Sequence, residues 1–284
     1  MPRVLVMGAT GAVGRALRAA WADAAPAGLR PLWQRRQGEN AGWLRWAPLQ
    51  DPVPDLPLLK AVVVLSGVTP GSDAPLSDNA ALALAGLEAG ALAGARHVFL
   101  ASSQAVYAPA DHPLAEGAPV DPPTPYGAAK AEMEAAAACW RAGAGRAAPG
   151  ITCLRIGNVA GADLLGRRIA AGQPIRLDRF ADGRGPERSY IGAGGFARVL
   201  ESLLQAALAG RDLPFSLNVA APRPVAMADL LRAWGRDWEW VEAPAGARQS
   251  VTLDVGQLCR LHRFGPRDSE AEQMVAEWRR LGRE

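Results

Sequence analysis

The sequence is poor in cysteine and has neither a long hydrophobic run nor a large excess of one charge. Its three cysteines, Cys139, Cys153 and Cys259, are far apart and lack Cys-x-x-Cys spacing, so we expect reduced thiols in a cytoplasmic protein. The longest apolar run, around residues 61–65, is too short to cross a bilayer. The first residues show no signal-peptide cleavage pattern, so no membrane association is expected.

Charge and histidine content argue against two further classes of site. The 31 basic residues barely exceed the 28 acidic ones, and a net charge of +3 is too small to indicate a nucleic-acid-binding surface. None of His97, His112 and His262 has a partner at metal-ligand spacing, so we expect no metal site. The chain has 284 residues, of which 49% are hydrophobic. This is enough to form the buried core of one large α/β domain or of a domain with a smaller lobe.

Three glycines spaced three apart lie between an apolar run and a helical pattern near the N-terminus. Residues 3–7 predict a strand and the pattern from Arg15 onward predicts a helix, which leaves the glycines in the turn between them. Glycine permits a sharp turn and lets backbone N–H groups approach a pyrophosphate, which a helix N-terminus also attracts. The spacing is a variant of the dinucleotide-binding fingerprint, and taken alone it also suits an ordinary tight turn. The residues predicted to contact a dinucleotide here are Gly8, Thr10, Gly11, Ala12, Val13, Gly14 and Arg15.

Strand and helix patterns alternate after this turn. Strands are predicted at 29–34, 43–46, 61–67 and 97–103, and helices at 15–24 and 78–93. Such alternation is typical of βαβ crossovers and a parallel sheet, in which ligands bind at the carboxyl ends of the strands. Leu65, Ser66 and Gly67 end one of these strands, where small side chains would allow a cofactor to approach closely.

The end of the second predicted strand carries arginines. An acidic side chain at this point would accept hydrogen bonds from the adenine ribose, but the local sequence is Gln34, Arg35, Arg36. Two guanidinium groups, assisted by Arg15, would suit a 2′-phosphate, which predicts NADP as the preferred cofactor. The alternative is that the two arginines lie in a solvated loop and that the cofactor is NAD.

Tyr126 and Lys130 are candidates for the chemistry. The proline-rich residues 122–125 precede a helix predicted to begin near Tyr126, and the four-residue spacing places Lys130 on the same face. An ammonium near the phenol would lower the tyrosine pKa, so that the phenol could exchange a proton with a substrate hydroxyl or carbonyl. A serine from the preceding strand end would hold the same oxygen. An isolated Tyr-x-x-x-Lys pattern usually marks a surface helix, but the order of motifs argues against that here.

Together these motifs resemble those of the NAD-dependent epimerase/dehydratase family, the extended branch of the short-chain dehydrogenase/reductase superfamily. The glycine turn and the pair Tyr126 and Lys130 match the family's cofactor turn and catalytic pair, and residues 102–107 resemble the segment with its catalytic serine or threonine. Counting back from the Val-Tyr pair identifies that residue as Ser103. Residues 154–161 and 217–220 resemble later strands, so the likeness spans nearly the whole chain.

The substrate side departs from the family pattern. The family's dehydratases follow the catalytic threonine with an Asp-Glu pair where this chain has Gln104 and Ala105, so dehydration is disfavoured. An Arg-x-Tyr-Ile segment is kept at Arg188, but residues 192–195 are Gly-Ala-Gly-Gly where the family has a Val-Asp-Asp run. An ordinary surface position would also explain Arg188. The resemblance implies that substrate is bound by Ser103, Gln104, Asn158 and Arg188.

The resemblance implies a Rossmann-type, doubly wound parallel α/β sheet with a small C-terminal substrate-binding lobe. Residues 1–160 would form the dinucleotide-binding domain and residues 161–284 mostly the lobe, with some segments returning to the sheet. The expected activity is NAD(P)-dependent hydride transfer between nicotinamide and a secondary alcohol or ketone of a sugar-like or hydroxy-acid substrate. Two alternatives stay open, a sugar or nucleotide-sugar epimerase without net redox change and a non-catalytic dinucleotide sensor. Alanine-rich helices at 78–93 and 126–140 predict a homodimer.

Overall fold

A computed structural model gives the fold and describes residues 1–38, 40–145 and 148–281. Within these ranges the strands are β1 (Arg3–Met7), β2 (Arg30–Arg35), β3 (Leu44–Arg45), β4 (Ala61–Val64), β5 (His97–Ser103), β6 (Gly150–Ile156), β7 (Asn158–Val159), β8 (Arg176–Arg179), β9 (Glu187–Arg188), β10 (Tyr190–Ile191), β11 (Ser216–Val219), β12 (Val225–Ala226), β13 (Glu239–Glu242) and β14 (Ser250–Val251). The helices in the same ranges are α1 (Ala12–Asp23), α2 (Asp78–Leu92), α3 (Pro125–Gly143), α4 (Leu164–Ala170), α5 (Ala193–Leu208), α6 (Met227–Trp234), α7 (Gly256–Leu261) and α8 (Ala271–Leu281). A 3-10 turn, Gln104–Val106, follows β5.

The main sheet has seven strands in the described part of the chain, and every neighbouring pair is parallel. Its strand order is β11-β6-β5-β4-β1-β2-β3. The strands β2 and β3 therefore lie on one side of β1, and the chain then crosses over to place β4 and the later strands on the other side of β1. This reversal places a crevice at the carboxyl ends of β1 and β4, where parallel sheets bind ligands. The predicted doubly wound parallel α/β sheet is confirmed.

Both faces of the sheet are covered, as β1 illustrates. Val4 and Val6 are fully buried in a core shared with α1 and α5, whereas Leu5 and Met7 are buried on the opposite face with α2 and α3. The short, continuously apolar strands follow from this double burial, because neither face needs polar side chains. The two helical layers leave the strand ends open, and the candidate site lies at those ends.

The C-terminal half adds a small third core. Its buried members include Leu177 of β8, Tyr190 of β10, Leu231 of α6 and Met274 of α8. Two elements of this half return to the main sheet: β11 pairs with β6, and α5 packs against α1. The same half thus contributes to the sheet and builds the structure beside the strand ends.

Helix α5 begins in the Gly-Ala-Gly-Gly run at residues 192–195, and a carboxylate from another helix accepts hydrogen bonds from the backbone of this run. The Glu277 side chain, on α8 and only 4% exposed, accepts hydrogen bonds from the backbone nitrogens of Gly194 (3.0 Å) and Gly195 (3.2 Å). A Cβ at Gly192 would lie 2.2 Å from a Glu277 carboxylate oxygen. The Glu277 carboxylate, which is distant in sequence, thus caps the N-terminus of α5, where the sequence has no nearby aspartate to do so.

Two negative findings concern only the described residues. No helix among them is long and apolar enough to cross a membrane. Among the same residues, no group of three histidine, cysteine, aspartate or glutamate side chains is arranged to hold a metal ion.

Candidate active site

The glycine turn joins the ends of β1 and β4. Gly8 has a φ of +78°, and a Cβ at this position would lie 2.4 Å from the backbone nitrogen of Ser66. Only glycine fits both the dihedral angle and the space. A Cβ at Gly14 would lie 2.2 Å from the Gly8 carbonyl oxygen, so glycine there lets α1 lie close to the turn. The structure thus has the strand, turn and helix that the glycine spacing predicts.

The N-terminus of α1 has no side-chain cap. Its N-cap residue is Gly11, which has no side chain to accept a hydrogen bond from the first N–H groups. Such N–H groups, together with the helix dipole, attract an anion, so this end of α1 fits the pyrophosphate of a dinucleotide. The cavity beside it, about 600 Å³ in volume and here called the outer cavity, is lined in part by the glycine turn. A second cavity of about 390 Å³, the inner cavity, shares Leu65 and Gly67 with the outer one.

The predicted cofactor residues divide between the two cavities. The outer cavity is lined by Gly8, Thr10, Gly11, Arg36, Leu65, Ser66 and Gly67. The inner cavity is lined by Val13, Leu65, Gly67, Tyr126 and Lys130. The remaining predicted residues, Ala12, Gly14, Arg15 and Arg35, line neither cavity. Because they share Leu65 and Gly67, the two cavities form neighbouring parts of one cleft along the strand ends.

Gln34 and Arg35 at the end of β2, and Arg36 directly after it, have different surroundings. The buried Gln34 side chain accepts a hydrogen bond from the Gly8 backbone nitrogen (2.9 Å) and donates to the Trp46 carbonyl, so it supports the glycine turn. Arg35 donates to the Gln37 carbonyl (2.6 Å) and lies over the Trp43 ring, 5.7 Å from its centroid. Arg36 is exposed and lines the outer cavity. Arg36 is thus the arginine of this pair that faces the outer cavity.

Helix α3 places Tyr126 beside Ser103. Pro125 occupies the first turn of α3, and the Thr124 side chain caps the helix by accepting a hydrogen bond from the Gly127 nitrogen (3.1 Å). A Cβ at Gly127 would lie 2.1 Å from the Ala105 carbonyl oxygen, so this helix start packs directly on the 3-10 turn that follows Ser103. The Ser103 hydroxyl forms a hydrogen bond with the Tyr126 phenol. The pairing of serine and tyrosine therefore follows from local packing.

The pKa values of the two candidate catalytic groups reflect their burial. Burial raises the pKa of Tyr126, and the Ser103 hydrogen bond and the Arg167 charge lower it by less. Burial lowers the pKa of Lys130 to about 8. The Lys130 ammonium donates to the Ala101 carbonyl (2.8 Å), and its nitrogen lies 6.0 Å from the Tyr126 ring centroid. The phenol pKa is therefore higher here than the Tyr-x-x-x-Lys spacing predicts, because desolvation dominates and the charge that lowers this pKa is that of Arg167 rather than Lys130.

Behind the candidate pair lies a buried polar network that the sequence analysis missed. Glu134, one turn after Lys130 on α3, forms a buried ion pair with Arg155 of β6 (2.7 Å). Its carboxylate also accepts a hydrogen bond from Ser102 (2.5 Å), the residue before Ser103. Ser102 lines the inner cavity together with Ser103, and its hydroxyl is held by the buried Glu134 carboxylate. The four-residue spacing of Lys130 and Glu134 was visible in the sequence, but Arg155 lies on another element.

The predicted substrate residues do not all lie in the cleft. Ser103 and Asn158 line the inner cavity. Gln104 does not, and its side-chain oxygen is buried with no hydrogen-bond partner in the described residues. Arg188 does not line the cavity either, because its guanidinium donates to the carbonyls of Glu187 (2.7 Å), Gln249 (2.7 Å) and Arg248 (3.2 Å). The structure thus brings Asn158 to the site and leaves Arg188 beside it.

Two charged residues of the inner cavity were not predicted. Asp163 is the N-cap of α4 and accepts a hydrogen bond from the Gly166 nitrogen (2.9 Å), and Arg167 follows one turn later. An aspartate before a short apolar stretch is a recognised helix-start signal. That signal predicts the helix but gives no indication that the helix borders the site.

Comparison with known proteins finds one family and many similar folds. The model of the NAD dependent epimerase/dehydratase family matches residues 4–198. A search of curated protein sequences found no match.

Several solved structures share the fold along the whole chain. MoeE5 in complex with UDP-glucuronic acid and NAD is 24% identical, with 99% of each chain covered and a TM-score of 0.73. UDP-glucose-4-epimerase (galE) from Stenotrophomonas maltophila, with bound NAD and formylated UDP-arabinopyranose, is 19% identical, with 99% of this chain and 98% of that chain covered and a TM-score of 0.77. TunA, an NAD dependent NDP-hexosamine 5,6-dehydratase, is 20% identical, with 100% of this chain and 99% of that chain covered and a TM-score of 0.74.

Proposed function

The chain belongs to the NAD-dependent epimerase/dehydratase family, and is thus an enzyme of the short-chain dehydrogenase/reductase superfamily; from this premise we propose that it is a nucleotide-sugar epimerase. The observation that carries the proposal is that Ser103, Tyr126 and Lys130 line one cavity. That cavity adjoins the glycine turn through shared lining residues. A dinucleotide laid along the cleft from the α1 N-terminus would end beside these three side chains.

Each side chain has a role that follows from its position. The Tyr126 phenolate takes the proton of a substrate hydroxyl as a general base, and the phenol so formed returns it as a general acid. Ser103, which hydrogen-bonds the phenol, holds the substrate oxygen next to it. The Arg167 charge favours the phenolate, and the Lys130 ammonium, which lines the same cavity, orients a ribose hydroxyl. When bound, the nicotinamide would supply hydride chemistry at the carbon that carries this oxygen.

The residues around Ser103 favour epimerisation over dehydration. A dehydratase needs an additional acid and base after the catalytic residue, and Gln104 and Ala105 offer neither. Epimerisation needs no additional proton-transfer group, because the same tyrosine serves both directions. The nucleotide-sugar complexes among the similar folds support this class of substrate.

For the cofactor we propose NADP as the preferred form, with NAD also accepted. The support is Arg36, which lines the outer cavity near the glycine turn, together with the absence of an acid at the end of β2, where Gln34 stands. A guanidinium there would form charge-assisted hydrogen bonds with a 2′-phosphate. The solved complexes of similar fold contain NAD, so the preference is a property proposed for this chain alone.

We further propose a cytoplasmic homodimer. The three cysteines are free thiols, which is typical of a reducing compartment. Helices α2 and α3 pack side by side, and their alanine-rich outer faces would allow a second copy to approach closely across a two-fold axis. Residues 1–160 would then hold the dinucleotide and residues 161–284 would supply most of the substrate side.

Product analysis tests the proposal. The protein would be incubated with NAD or NADP and either UDP-glucose or UDP-glucuronic acid, while NMR identifies the sugar and absorbance reports the nicotinamide. We expect an epimeric sugar with no net change of nicotinamide absorbance. A stoichiometric absorbance change would identify a net oxidoreductase instead. Cofactor binding with no conversion of any nucleotide sugar would favour the non-catalytic sensor.

A further inference from the structure

Arg167 places a positive charge in the inner cavity. It lies in α4 and lines the cavity together with Ser103 and Tyr126. Its charge is close enough to the phenol to lower the pKa of Tyr126. Across the described ranges, its guanidinium has neither an ion-pair partner nor a hydrogen-bond acceptor. Its donors are therefore available to a molecule in the cavity.

The other charged groups in and near this cavity are engaged. The Asp163 carboxylate accepts hydrogen bonds from the Gly166 nitrogen (2.9 Å) and the Tyr190 hydroxyl (3.0 Å). Lys130 donates to a main-chain carbonyl, and the Arg188 guanidinium is held by three carbonyls outside the cavity. Arg167 thus differs from the other cations in having a guanidinium that is both exposed to the cavity and unbound.

We propose that Arg167 binds an anionic oxygen group of the substrate, which makes it a specificity-determining residue. The proposal rests on the nucleotide-sugar function proposed above, since such a substrate offers two anions: the diphosphate, and a carboxylate where the sugar is a uronic acid. A guanidinium matches both groups through paired N–H donors. Because Arg167 lies near Tyr126, the anion that it binds lies close to the reacting carbon.

Binding measurements on a matched pair of variants test this assignment. Isothermal titration calorimetry would measure UDP-glucose and UDP-glucuronic acid on the wild-type protein, on Arg167→Gln and on Arg168→Gln. Arg168 is the next residue of α4, is exposed and does not line the cavity, so its variant controls for surface charge. We expect Arg167→Gln to raise the Kd about tenfold or more, since charge-assisted hydrogen bonds contribute about 1.5–3 kcal/mol, and Arg168→Gln to change it less than about threefold.

The two ligands distinguish the two anions. A loss confined to UDP-glucuronic acid would assign Arg167 to the sugar carboxylate, and an equal loss for both ligands would assign it to the diphosphate. Unchanged affinity for both ligands, or equal losses in both variants, would overturn the proposal. Turnover of the sugar is measured separately. If either sugar is converted and Arg167→Gln binds both ligands normally, the proposed function stands and the inference about Arg167 is wrong. If binding depends on Arg167 but neither sugar is converted, the inference stands and the proposed function is wrong. A wild-type protein that binds neither ligand would contradict both.

Discussion

Lys130 is a charged residue in a position almost closed to water. It is 3% exposed, and burial lowers its pKa to about 8, although the neighbouring Cys153 and Glu134 raise it in part. The Ala101 carbonyl accepts a hydrogen bond from its ammonium. Residues that serve a site in this way often lower stability, because the fold bears the desolvation of a charge.

Lys130→Met should therefore stabilise the protein while removing turnover. At pH 7 the free energy of unfolding should rise by about 1–2 kcal/mol. The variant no longer bears the free-energy cost of desolvating the ammonium, but it loses the hydrogen bond to the Ala101 carbonyl, which offsets part of the gain. Urea unfolding followed by circular dichroism would measure it. The control, Lys60→Met, changes a partly exposed lysine and should shift the value by less than about 0.5 kcal/mol.

The same pair of proteins has a defined pH dependence. In the folded protein the Lys130 pKa is about 8, against 10.5 for the ordinary side chain. Between these values the unfolded state binds more protons, so wild-type stability rises with pH. The advantage of Lys130→Met should be fully present below pH 8 and shrink toward pH 10.5. A variant less stable than the wild type at pH 7 would show that Lys130 contributes net stability.

Arg36 should carry the cofactor preference. Arg36→Ala should weaken NADP binding by about tenfold or more and change NAD binding little, because NAD lacks the 2′-phosphate that this guanidinium would contact. Tryptophan fluorescence titration with both cofactors would measure the affinities. Arg35→Ala is the matched control, since Arg35 lies over Trp43 and does not line the outer cavity. Equal NADP and NAD affinities in the wild type would mean that Arg36 is a solvated residue.

At the scale of single residues, the sequence predicts those site contacts that depend on short spacings along the chain. Ser103, Tyr126 and Lys130 come together through one strand end and the first turns of one helix, so their pattern is readable in the chain. The positions of Arg167 and Arg188 were not readable. Arg188 is held by carbonyls about 60 residues further along the chain, and no local pattern indicates such a partner.

At the scale of secondary structure, helix α5 shows how a departure from a family pattern is accommodated. Gly194 and Gly195 present their N–H groups to Glu277, whose carboxylate also pairs with Arg198 (3.3 Å). From the sequence alone, the glycine run suggests a change on the substrate side. The structure indicates a structural role for it, because the absence of side chains lets the carboxylate of α8 reach the start of α5.

Glu277→Gln should destabilise the fold by about 1–3 kcal/mol. The amide loses the charge that favours the α5 N-terminus and replaces one acceptor with a donor. Thermal unfolding and urea titration would measure the change. Glu272→Gln makes the same chemical change at an exposed position of α8 and should cost less than about 0.5 kcal/mol. Equal effects of the two changes would contradict the capping role.

On the scale of the whole molecule, the layered sheet and the presence of a smaller C-terminal lobe were predictable, whereas the strand pairing within the lobe was not. Alternating strand and helix patterns determine a parallel sheet because right-handed crossovers leave few other topologies. The short strands β7–β10 and β12–β14 have two to four residues each, too few for a periodic signal. Their pairing depends on contacts between distant segments.

The homodimer is a prediction at this scale. Sedimentation velocity at micromolar concentrations should give twice the 29.8 kDa mass of one chain. Ala135→Arg, at an exposed position of α3, should shift the protein to monomer by placing a large charged side chain in the proposed interface. Ala22→Arg, at an exposed position of α1, should leave the dimer intact. A single-chain mass for the wild type would show that α2 and α3 simply cover their own sheet.

The most direct test of the account is to remove the Tyr126 hydroxyl. Tyr126→Phe keeps the ring packing and deletes the group proposed to move the substrate proton. Turnover of the nucleotide sugar should fall about 10²–10⁴-fold, the contribution of a general acid/base, while the cofactor Kd measured by fluorescence stays near the wild-type value. Undiminished turnover in a variant that binds cofactor normally would contradict the assignment of this cleft as an active site that works through Tyr126.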